Sequence, residues 1–185
     1  MKKYILIAGV NGAGKSTLFH VLEELKDMPR VNTDEIVKQF GDWNNSSDVF
    51  KAGKQAVKKI NDYLENGITF NQETTLCGNN ILKNIRKAKV LGYYVELHYV
   101  GVANVDIAKE RVAYRVSVGG HGIPDADIER RYIETFENLN KIISYCDRIL
   151  FYDNTDGFER FAMIENGNSV SLVDNIPKWF EKVKR

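Results

Sequence analysis

The sequence predicts an α/β fold in three layers: a five-stranded, mainly parallel sheet between helices, with a helical lid and a C-terminal β-hairpin. Strand-like and helix-like segments alternate through most of the 185 residues, which is the pattern of parallel sheets covered on both faces by helices. A glycine-rich loop joins the first strand to the first helix, and an Asn166-Gly167 pair separates two apolar runs near the C-terminus. Such a pair is typical of a tight turn between antiparallel strands.

The first part of the chain is predicted to form three strands and three helices. The strands are short apolar or β-branched runs, and we expect them at residues 4–8, 30–32 and 68–72. The helices are expected to begin at residue 16, to span 34–40 and to span 48–66. Ser47 is the predicted N-cap of the long third helix, and Gly67 is its predicted stop.

The second part continues the alternation and ends in the hairpin. We expect helices at 80–91, 104–118 and 125–145, strands at 93–100 and 148–152, hairpin strands at 161–165 and 169–173, and a short helix at 177–184. The glycine-rich segment 119–124 separates two of these helices, and the two arms around it, about residues 108–135, form the predicted lid. The length fits one domain, residues 1–185.

The loop after the first strand matches a phosphate-binding motif. Residues 9–16 fit G-x-x-x-x-G-K-[ST], the P-loop of nucleotide-binding proteins, so the fold is expected to be that of a P-loop NTPase. The glycines allow backbone N–H groups to point at phosphate oxygens, and the following helix N-terminus adds to the attraction. Lys15 is expected to reach the β- and γ-phosphates, and the Ser16 hydroxyl to bind Mg²⁺. The predicted nucleotide-binding residues are Gly9, Asn11, Gly12, Ala13, Gly14, Lys15, Ser16 and Thr17.

Other features of the sequence limit the ligands and partners that we expect. No guanine-specific Asn-Lys-x-Asp segment occurs, which favours ATP with Mg²⁺ as cofactors. The net charge is +1, without a polybasic run, so nucleic acid and membrane surfaces are not expected partners. Cys77 and Cys146 lack the spacing of a metal site or a disulfide framework, and the N-terminal apolar run is too short for a secretory signal or a membrane span. We therefore expect a soluble cytoplasmic protein.

Polar residues follow the predicted strands, where ligands of parallel sheets bind. They are Asn32, Asp34, Glu35, Glu73, Thr74, Thr75, Asp153, Asn154 and Asp156. A carboxylate at Asp34 is able to take the proton of an acceptor hydroxyl, although Thr33 or Asp34 is equally suited to be a helix N-cap. Glu73 is suited to orient the acceptor or to hold water on Mg²⁺, and an ordinary strand-end carboxylate is the alternative. Thr74 and Thr75 join Asp34 and Glu73 as predicted substrate-binding residues.

Arginines cluster on both sides of the glycine-rich segment. Arg111 and Arg115 are four residues apart and share one face of a predicted helix, and Arg130 and Arg131 follow the segment. Two arms with arginines around a hinge are typical of a lid that neutralises phosphate charge during transfer. The alternative is two solvated faces paired with neighbouring acidic residues. The cluster beside a hinge favours the lid, with Arg111 and Arg115 as catalytic residues beside Lys15 and Asp34.

Seven segments of the sequence together resemble one family of kinases. They are residues 9–17, 31–36, 73–78, 111–116, 119–124, 130–132 and 152–154. In this order they resemble the zeta-toxin-like P-loop kinases, especially the compact bacterial branch described as predicted ATPases. The resemblance covers residues 9–154, and the set is specific although the P-loop alone is not.

This resemblance implies an ATP- and Mg²⁺-dependent kinase that phosphorylates a small-molecule hydroxyl. The best-known members phosphorylate the 3′-hydroxyl of UDP-N-acetylglucosamine, so a UDP-sugar is the implied substrate and an antitoxin protein is an implied partner. Asp34 matches the family's catalytic base, Glu73 an acidic residue near the acceptor, and Arg111 a lid arginine. One position departs: His121 stands where the toxins have a second lid arginine, and Arg115, Arg130 or Arg131 would have to replace it.

Two other functions are compatible with a P-loop. One is a transporter-type ATPase, because residues 116–121 and 148–153 weakly resemble its signature motif and metal-binding strand; Asn154 stands where those proteins have a glutamate. The other is a nucleotide-dependent switch or binding module without a small-molecule acceptor. Acceptor-stimulated ATP turnover separates a kinase from such a switch.

Overall fold

A computed structural model describes residues 1–171 and 173–184, and these form one seven-stranded sheet. The strands are β1 (Lys3–Ala8), β2 (Arg30–Val31), β3 (Phe70–Thr74), β4 (Tyr94–Gly101), β5 (Arg148–Asp153), β6 (Glu159–Glu165) and β7 (Asn168–Ser171). Their order across the sheet is β2-β3-β1-β4-β5-β6-β7. The first five strands pair in parallel, and β6 and β7 are antiparallel.

The prediction of five strands plus a separate hairpin was wrong in one respect, because the hairpin extends the main sheet. β6 pairs with β5 from Arg148↔Glu165 to Asp153↔Glu159. Phe161 and Ile164 of β6 are buried in the main core, so the apolar side of the hairpin is stabilised by joining the sheet. Leu172, within the predicted second hairpin strand, lies outside the described residues.

Helices cover both faces of the sheet, as the alternation predicts. They are α1 (Lys15–Val21), α2 (Thr33–Lys38), α3 (Ser46–Glu65), α4 (Asn80–Val90), α5 (Val105–Ser117) and α6 (Asp125–Ile142). Short 3-10 turns follow at Glu23–Leu25, Ile143–Tyr145 and Lys178–Lys182, so the predicted C-terminal helix is a 3-10 turn and the last turn of the predicted helix 125–145 is not α-helical. Within the described part of the chain, no helix has the length and apolarity needed to cross a bilayer.

Two helix starts differ from their predictions. The N-cap of α3 is Asn45, whose side chain accepts a hydrogen bond from the Ser47 amide, so Ser47 lies inside the helix. The N-cap of α2 is Asn32, whose side chain accepts from the Asp34 amide, so neither Thr33 nor Asp34 has that role. Asparagine satisfies the free amides of a first helical turn as well as serine does, and in both cases it is the asparagine that lies just before the turn.

The strand register brings the polar segments to one edge. Ala8 at the end of β1 lies opposite Thr74 of β3 and Tyr99 of β4, and Gly101 lies opposite Asp153 of β5. Glu73 and Thr74 therefore belong to β3 rather than following it, two residues beyond the predicted end of that strand. Because these strands are parallel, their carboxyl ends meet at a single edge, where ligands of such sheets bind.

Candidate active site

A cleft of about 1200 Å³ opens at this edge, between the P-loop, the α2–α3 segment and the helices α5 and α6. Most of the predicted site residues line it: Asn11, Gly12, Gly14, Lys15, Ser16, Thr17, Asp34, Glu73, Thr74, Thr75, Arg111 and Arg115. Gly9 and Ala13 shape the loop instead. Gly9 has a φ of 147°, and a Cβ there would lie 2.3 Å from the Val100 oxygen, while Ala13 is fully buried.

Lys15 lies buried at the start of α1 and donates from Nζ to the Val10 carbonyl at 3.1 Å. Burial lowers the pKa of its ammonium group, while the negative charges of Glu73 and Asp34 act in the opposite direction. A buried ammonium with one neutral acceptor is incompletely compensated. A phosphate group is the anion that such a loop lysine would bind.

Asn154 holds the P-loop from the end of β5. Its Nδ2 donates to the Ala13 carbonyl at 2.8 Å. Gly14, with a φ of 102°, leaves the room for this contact, because a Cβ there would lie 2.4 Å from the same nitrogen. No role of its own was assigned to Asn154 from the sequence, and the structure shows its side chain holding the P-loop backbone.

Glu73 is the centre of a hydrogen-bonded cluster at the end of β3. Its carboxylate accepts from the Ser16 hydroxyl at 2.9 and 3.2 Å, from Asn32 Nδ2 at 3.0 Å and from Arg30 Nη2 at 2.5 Å. Arg30 also pairs with Glu35 at 2.7 Å and lies over the Phe19 ring. The cluster therefore fixes a carboxylate beside the P-loop serine.

Asp34 lies in the first turn of α2, where Asn32 holds its amide. Its carboxylate lines the cleft and is half-buried. The charge of Asp34 acts on both Lys15 and His121, raising the pKa of each against the lowering effect of burial. Asp34 thus lies near both the P-loop lysine and the segment that connects α5 to α6.

Arg111 and Arg115 of α5 line the cleft from the lid side. Arg111 donates from Nη2 to the Thr155 carbonyl at 2.9 Å, and Arg115 donates from Nε to the His121 carbonyl at 2.9 Å. Arg111 Nη1 and Arg115 Nη2 are buried and have no hydrogen-bond partner among the residues that the structure describes. Buried guanidinium nitrogens are costly to leave unpaired, and phosphate oxygens satisfy them well. The lining residues therefore fit a nucleoside triphosphate.

The two arginines of α6 have different surroundings. Arg130 is engaged with Asp127 and Glu134, both at 2.9 Å, and its side chain is 56% exposed. Arg131 donates from Nη1 to the Asn11 side-chain oxygen of the P-loop at 2.9 Å. The structure therefore connects α6 to the loop through Arg131, while Arg130, which also lines the cleft, forms ion pairs with acidic residues of its own helix.

Sequence reasoning assigned no role to Arg30 or Trp43. Arg30 begins the short β2, and its position beside Glu73 follows from the pairing of β2 with β3, in which Arg30 lies opposite Asn71. Trp43, in the loop predicted at 41–47, lines the cleft and stacks on His121. A lone tryptophan in a polar loop was the one signal in the sequence for that position.

A P-loop on a parallel sheet of order 2-3-1-4-5, an acidic residue at the start of α2 and cleft-lining arginines on α5 and α6 are the arrangement of the class of P-loop kinases. A family model of the zeta toxin matches residues 1–175 of the chain. The chain therefore belongs to the zeta toxin family. Membership in this family supports a nucleotide-dependent, kinase-like function in general.

Individual relatives agree with that assignment. An uncharacterized protein of Haemophilus influenzae is 34% identical over 130 residues, which cover 70% of this chain and 92% of that protein. Among solved structures, the PezAT chromosomal toxin-antitoxin system of Streptococcus pneumoniae matches with a TM-score of 0.64 at 18% identity, over 85% of this chain and 69% of that one. At this identity the likeness shows a shared fold.

A second solved structure matches over almost the whole chain. The AvrRxo1-ORF1:AvrRxo1-ORF2 complex with ATP has a TM-score of 0.76 at 14% identity and covers 99% of this chain. This chain spans 63% of that longer chain. The shared fold therefore includes the helices α5 and α6 and the C-terminal strands.

Proposed function

We propose that this protein is an ATP- and Mg²⁺-dependent kinase that transfers the γ-phosphate to a hydroxyl of a small molecule. The chain acts as a single kinase domain, with residues 108–135 as its lid. The observation that carries the proposal is that Arg111 and Arg115, which line one cleft together with the P-loop and Asp34, each have a buried side-chain nitrogen without a partner among the described residues.

The nucleotide side of the proposal rests on the P-loop and the lid. ATP supplies the phosphoryl group, and Mg²⁺ neutralises part of its charge. Lys15 binds the β- and γ-phosphates, and the Ser16 hydroxyl is a metal ligand. Glu73 accepts hydrogen bonds from water bound to that metal. Arg111 and Arg115 stabilise the charge that develops in transfer, which is the main contribution a protein makes to this chemistry.

The acceptor side rests on Asp34 and on the size of the cleft. A cleft of about 1200 Å³ exceeds the ordinary range of about 300–1,000 Å³ for one small ligand, which supports two ligands bound together. Asp34 accepts the proton of the attacking hydroxyl, and Thr74 and Thr75 at the end of β3 contact the acceptor. In this chain His121 stands where the family's toxins have a second lid arginine. Arg115, next to the hinge, takes the role of that arginine.

Family membership gives the first acceptor to test and further expectations. The acceptor is proposed to be a UDP-sugar of the UDP-N-acetylglucosamine type. An antitoxin protein is a proposed partner, and the PezAT structure, described as a toxin-antitoxin system, supports that expectation. The proposed compartment is the cytoplasm.

The test is a search for a phosphorylated product. The protein is incubated with ATP, Mg²⁺ and a panel of UDP-sugars, free sugars and nucleosides, and mass spectrometry looks for a product heavier by one phosphate. We expect this product with UDP-N-acetylglucosamine. A product from a different acceptor would support the kinase activity and exclude UDP-N-acetylglucosamine as its substrate. ATP hydrolysis that no acceptor stimulates, with no product, would favour the ATPase-switch function.

A further inference from the structure

Trp43 and His121, which both line the cleft, form a stacked pair. Their ring centroids lie 4.2 Å apart and the ring planes differ by 15°. Trp43 belongs to the connection between α2 and α3, and His121 to the hinge between α5 and α6. Both residues line the cleft together with Asp34. The pair therefore joins two separate segments at the side of the cleft that holds the proposed catalytic base.

The loop that carries Trp43 is held by its own side chains. Asp42 accepts from the Asn44 amide at 2.9 Å and from Asn44 Nδ2 at 3.2 Å, and the Asp42 amide donates to Asp48 Oδ2 at 3.2 Å. Asn45 then caps α3. Bonds on both sides of Trp43 reduce the freedom of this turn. The indole is thus presented to the cleft from an ordered turn.

His121 is attached to the lid by its backbone and not by its ring. Its carbonyl accepts from Arg115 Nε at 2.9 Å, whereas its imidazole has no hydrogen bond to any residue in the described ranges 1–171 and 173–184. Burial lowers the pKa of this imidazole, the positive charges of Arg115, Arg131 and Lys38 lower it further, and Asp34 opposes them. The contact near neutral pH is therefore between two uncharged rings, and another flat ring is able to replace the imidazole.

We propose that Trp43 is the stacking platform for the phosphate acceptor and that His121 covers the indole until the acceptor displaces it. This inference rests on the proposed kinase function and specifies its substrate class. The acceptor is a molecule that carries a flat ring in addition to its reactive hydroxyl, such as a nucleoside or a nucleotide sugar, and not an acyclic polyol. Displacing His121 also frees the hinge, so acceptor binding and lid movement are coupled at this contact.

The first test separates acceptor binding from nucleotide binding. Trp43→Ala is expected to raise the KM for the acceptor by about 5- to 150-fold, the range found for loss of a base-stacking aromatic residue, with the KM for ATP unchanged. Trp43→Phe keeps a flat ring and is expected to stay within a few-fold of the parent. Phe50→Ala is the matched control, because Phe50 is an exposed aromatic residue of α3 that does not line the cleft. If Trp43→Ala transferred phosphate with an unchanged KM for the acceptor, the inference would be overturned. The proposed kinase activity would still stand.

A binding measurement tests the platform without turnover. The nucleotide site is filled with ADP and Mg²⁺, UDP-N-acetylglucosamine is titrated, and indole fluorescence is recorded for the parent and Trp43→Phe. Trp179, the other tryptophan, is buried in the core, so the difference between the two proteins reports Trp43. We expect a saturable change in the parent only, and tighter binding by about 2- to 10-fold in His121→Ala, which lacks the competing ring. An affinity that is equal in the parent and His121→Ala, or the absence of a saturable fluorescence change in the parent, would contradict the inference.

Discussion

The Ser16 hydroxyl donates a hydrogen bond to the Glu73 carboxylate, with distances of 2.9 Å to Oε1 and 3.2 Å to Oε2. This contact joins the P-loop to the end of β3, 57 residues further along the chain. The hydroxyl of a P-loop serine is a Mg²⁺ ligand in proteins with this motif. Glu73 therefore lies where an outer-shell carboxylate would hold water on the metal and orient the serine.

The first prediction concerns this carboxylate. Glu73→Gln keeps the shape of the side chain but removes its charge, so it should weaken the metal site and leave Arg30 poorly compensated. We expect ATP turnover to require more Mg²⁺ and maximal activity to fall by about 10- to 100-fold, the usual cost of losing an outer-shell partner. A Mg²⁺ titration of turnover measures both effects. Glu35→Gln is the control, because Glu35 also pairs with Arg30 but is exposed and does not line the cleft.

Asp34→Asn tests the proposed base. The amide keeps the size of the side chain and cannot accept a proton, so phosphoryl transfer should fall by about two to four orders of magnitude while ATP affinity hardly changes. Calorimetry and product formation measure the two quantities. Asp106→Asn provides a control, since Asp106 is an acidic first-turn residue of α5 away from the cleft. Equal losses of affinity and turnover would identify Asp34 as a structural or metal-binding residue.

The fold was predictable where a local pattern decides it. The strand β1 is an apolar run that ends at the glycine-rich P-loop, β4 is rich in β-branched and aromatic residues although it includes Glu96 and His98, and the alternation with helices favours parallel pairing. The joining of β6 to the sheet was missed, because burial of Phe161 depends on the distant 3-10 turn that holds Trp179 and Phe180, whose rings contact it. No local pattern contains that information.

Most residues of the candidate site were predictable from the sequence, but two of them were not. The P-loop is contiguous, so its motif gives eight residues at once, and Asp34, Glu73 and the lid arginines follow from strand ends and from the family resemblance. Arg30 and Trp43 could not be assigned, because their roles come from contacts with Glu73 and His121 that lie more than 40 residues away in the chain. Contacts between charged groups or rings that are so far apart in the chain can be identified only from the tertiary structure.

Asn154 should support the P-loop rather than bind substrate. Asn154→Ala removes the hydrogen bond to the Ala13 carbonyl, so we expect the free energy of unfolding to fall by about 1 kcal/mol and ATP affinity to fall several-fold. Asn140→Ala is the control, since Asn140 makes comparable side-chain contacts to Lys182 and Lys184 away from the cleft. Similar loss of stability in both variants, with weaker ATP binding only in Asn154→Ala, would support this role. Unchanged ATP affinity in Asn154→Ala would argue against it.

Lys15 gives a prediction for pH. Burial lowers the pKa of its ammonium group in the free protein, and bound phosphates favour the charged form. Affinity for ATP should therefore fall as pH rises through the alkaline range, beginning below the ordinary lysine value of about 10.4, and binding in that range should take up protons. Calorimetry in buffers of different ionisation enthalpy measures the uptake. With the fold intact by circular dichroism, constant affinity up to pH 10 would contradict the prediction.

The lid arginines should affect turnover more than ATP binding. Arg111 Nη1 and Arg115 Nη2 are buried and lack acceptors among the described residues, so their acceptors should be oxygens of the reacting phosphate, and a lid closes fully only around that group. Each single alanine variant should lower kcat with a modest change in the KM for ATP. The double variant Arg111→Ala, Arg115→Ala should lose about three orders of magnitude or more in kcat, the scale of an arginine that stabilises transferring phosphate.

Lys109→Ala controls for a change of charge on the same helix, because Lys109 pairs with Glu129 and does not line the cleft. It should keep the parent's kcat. Arg130→Ala should have a smaller effect than the double variant, since Arg130 lines the cleft but is already paired with Asp127 and Glu134. Steady-state kinetics of the variants, with thermal unfolding to verify the fold, decide between the arginines. If the double variant kept full activity, the α5 arginines would not serve transfer, and the catalytic positive charge would have to come from Arg131, which contacts the P-loop through Asn11.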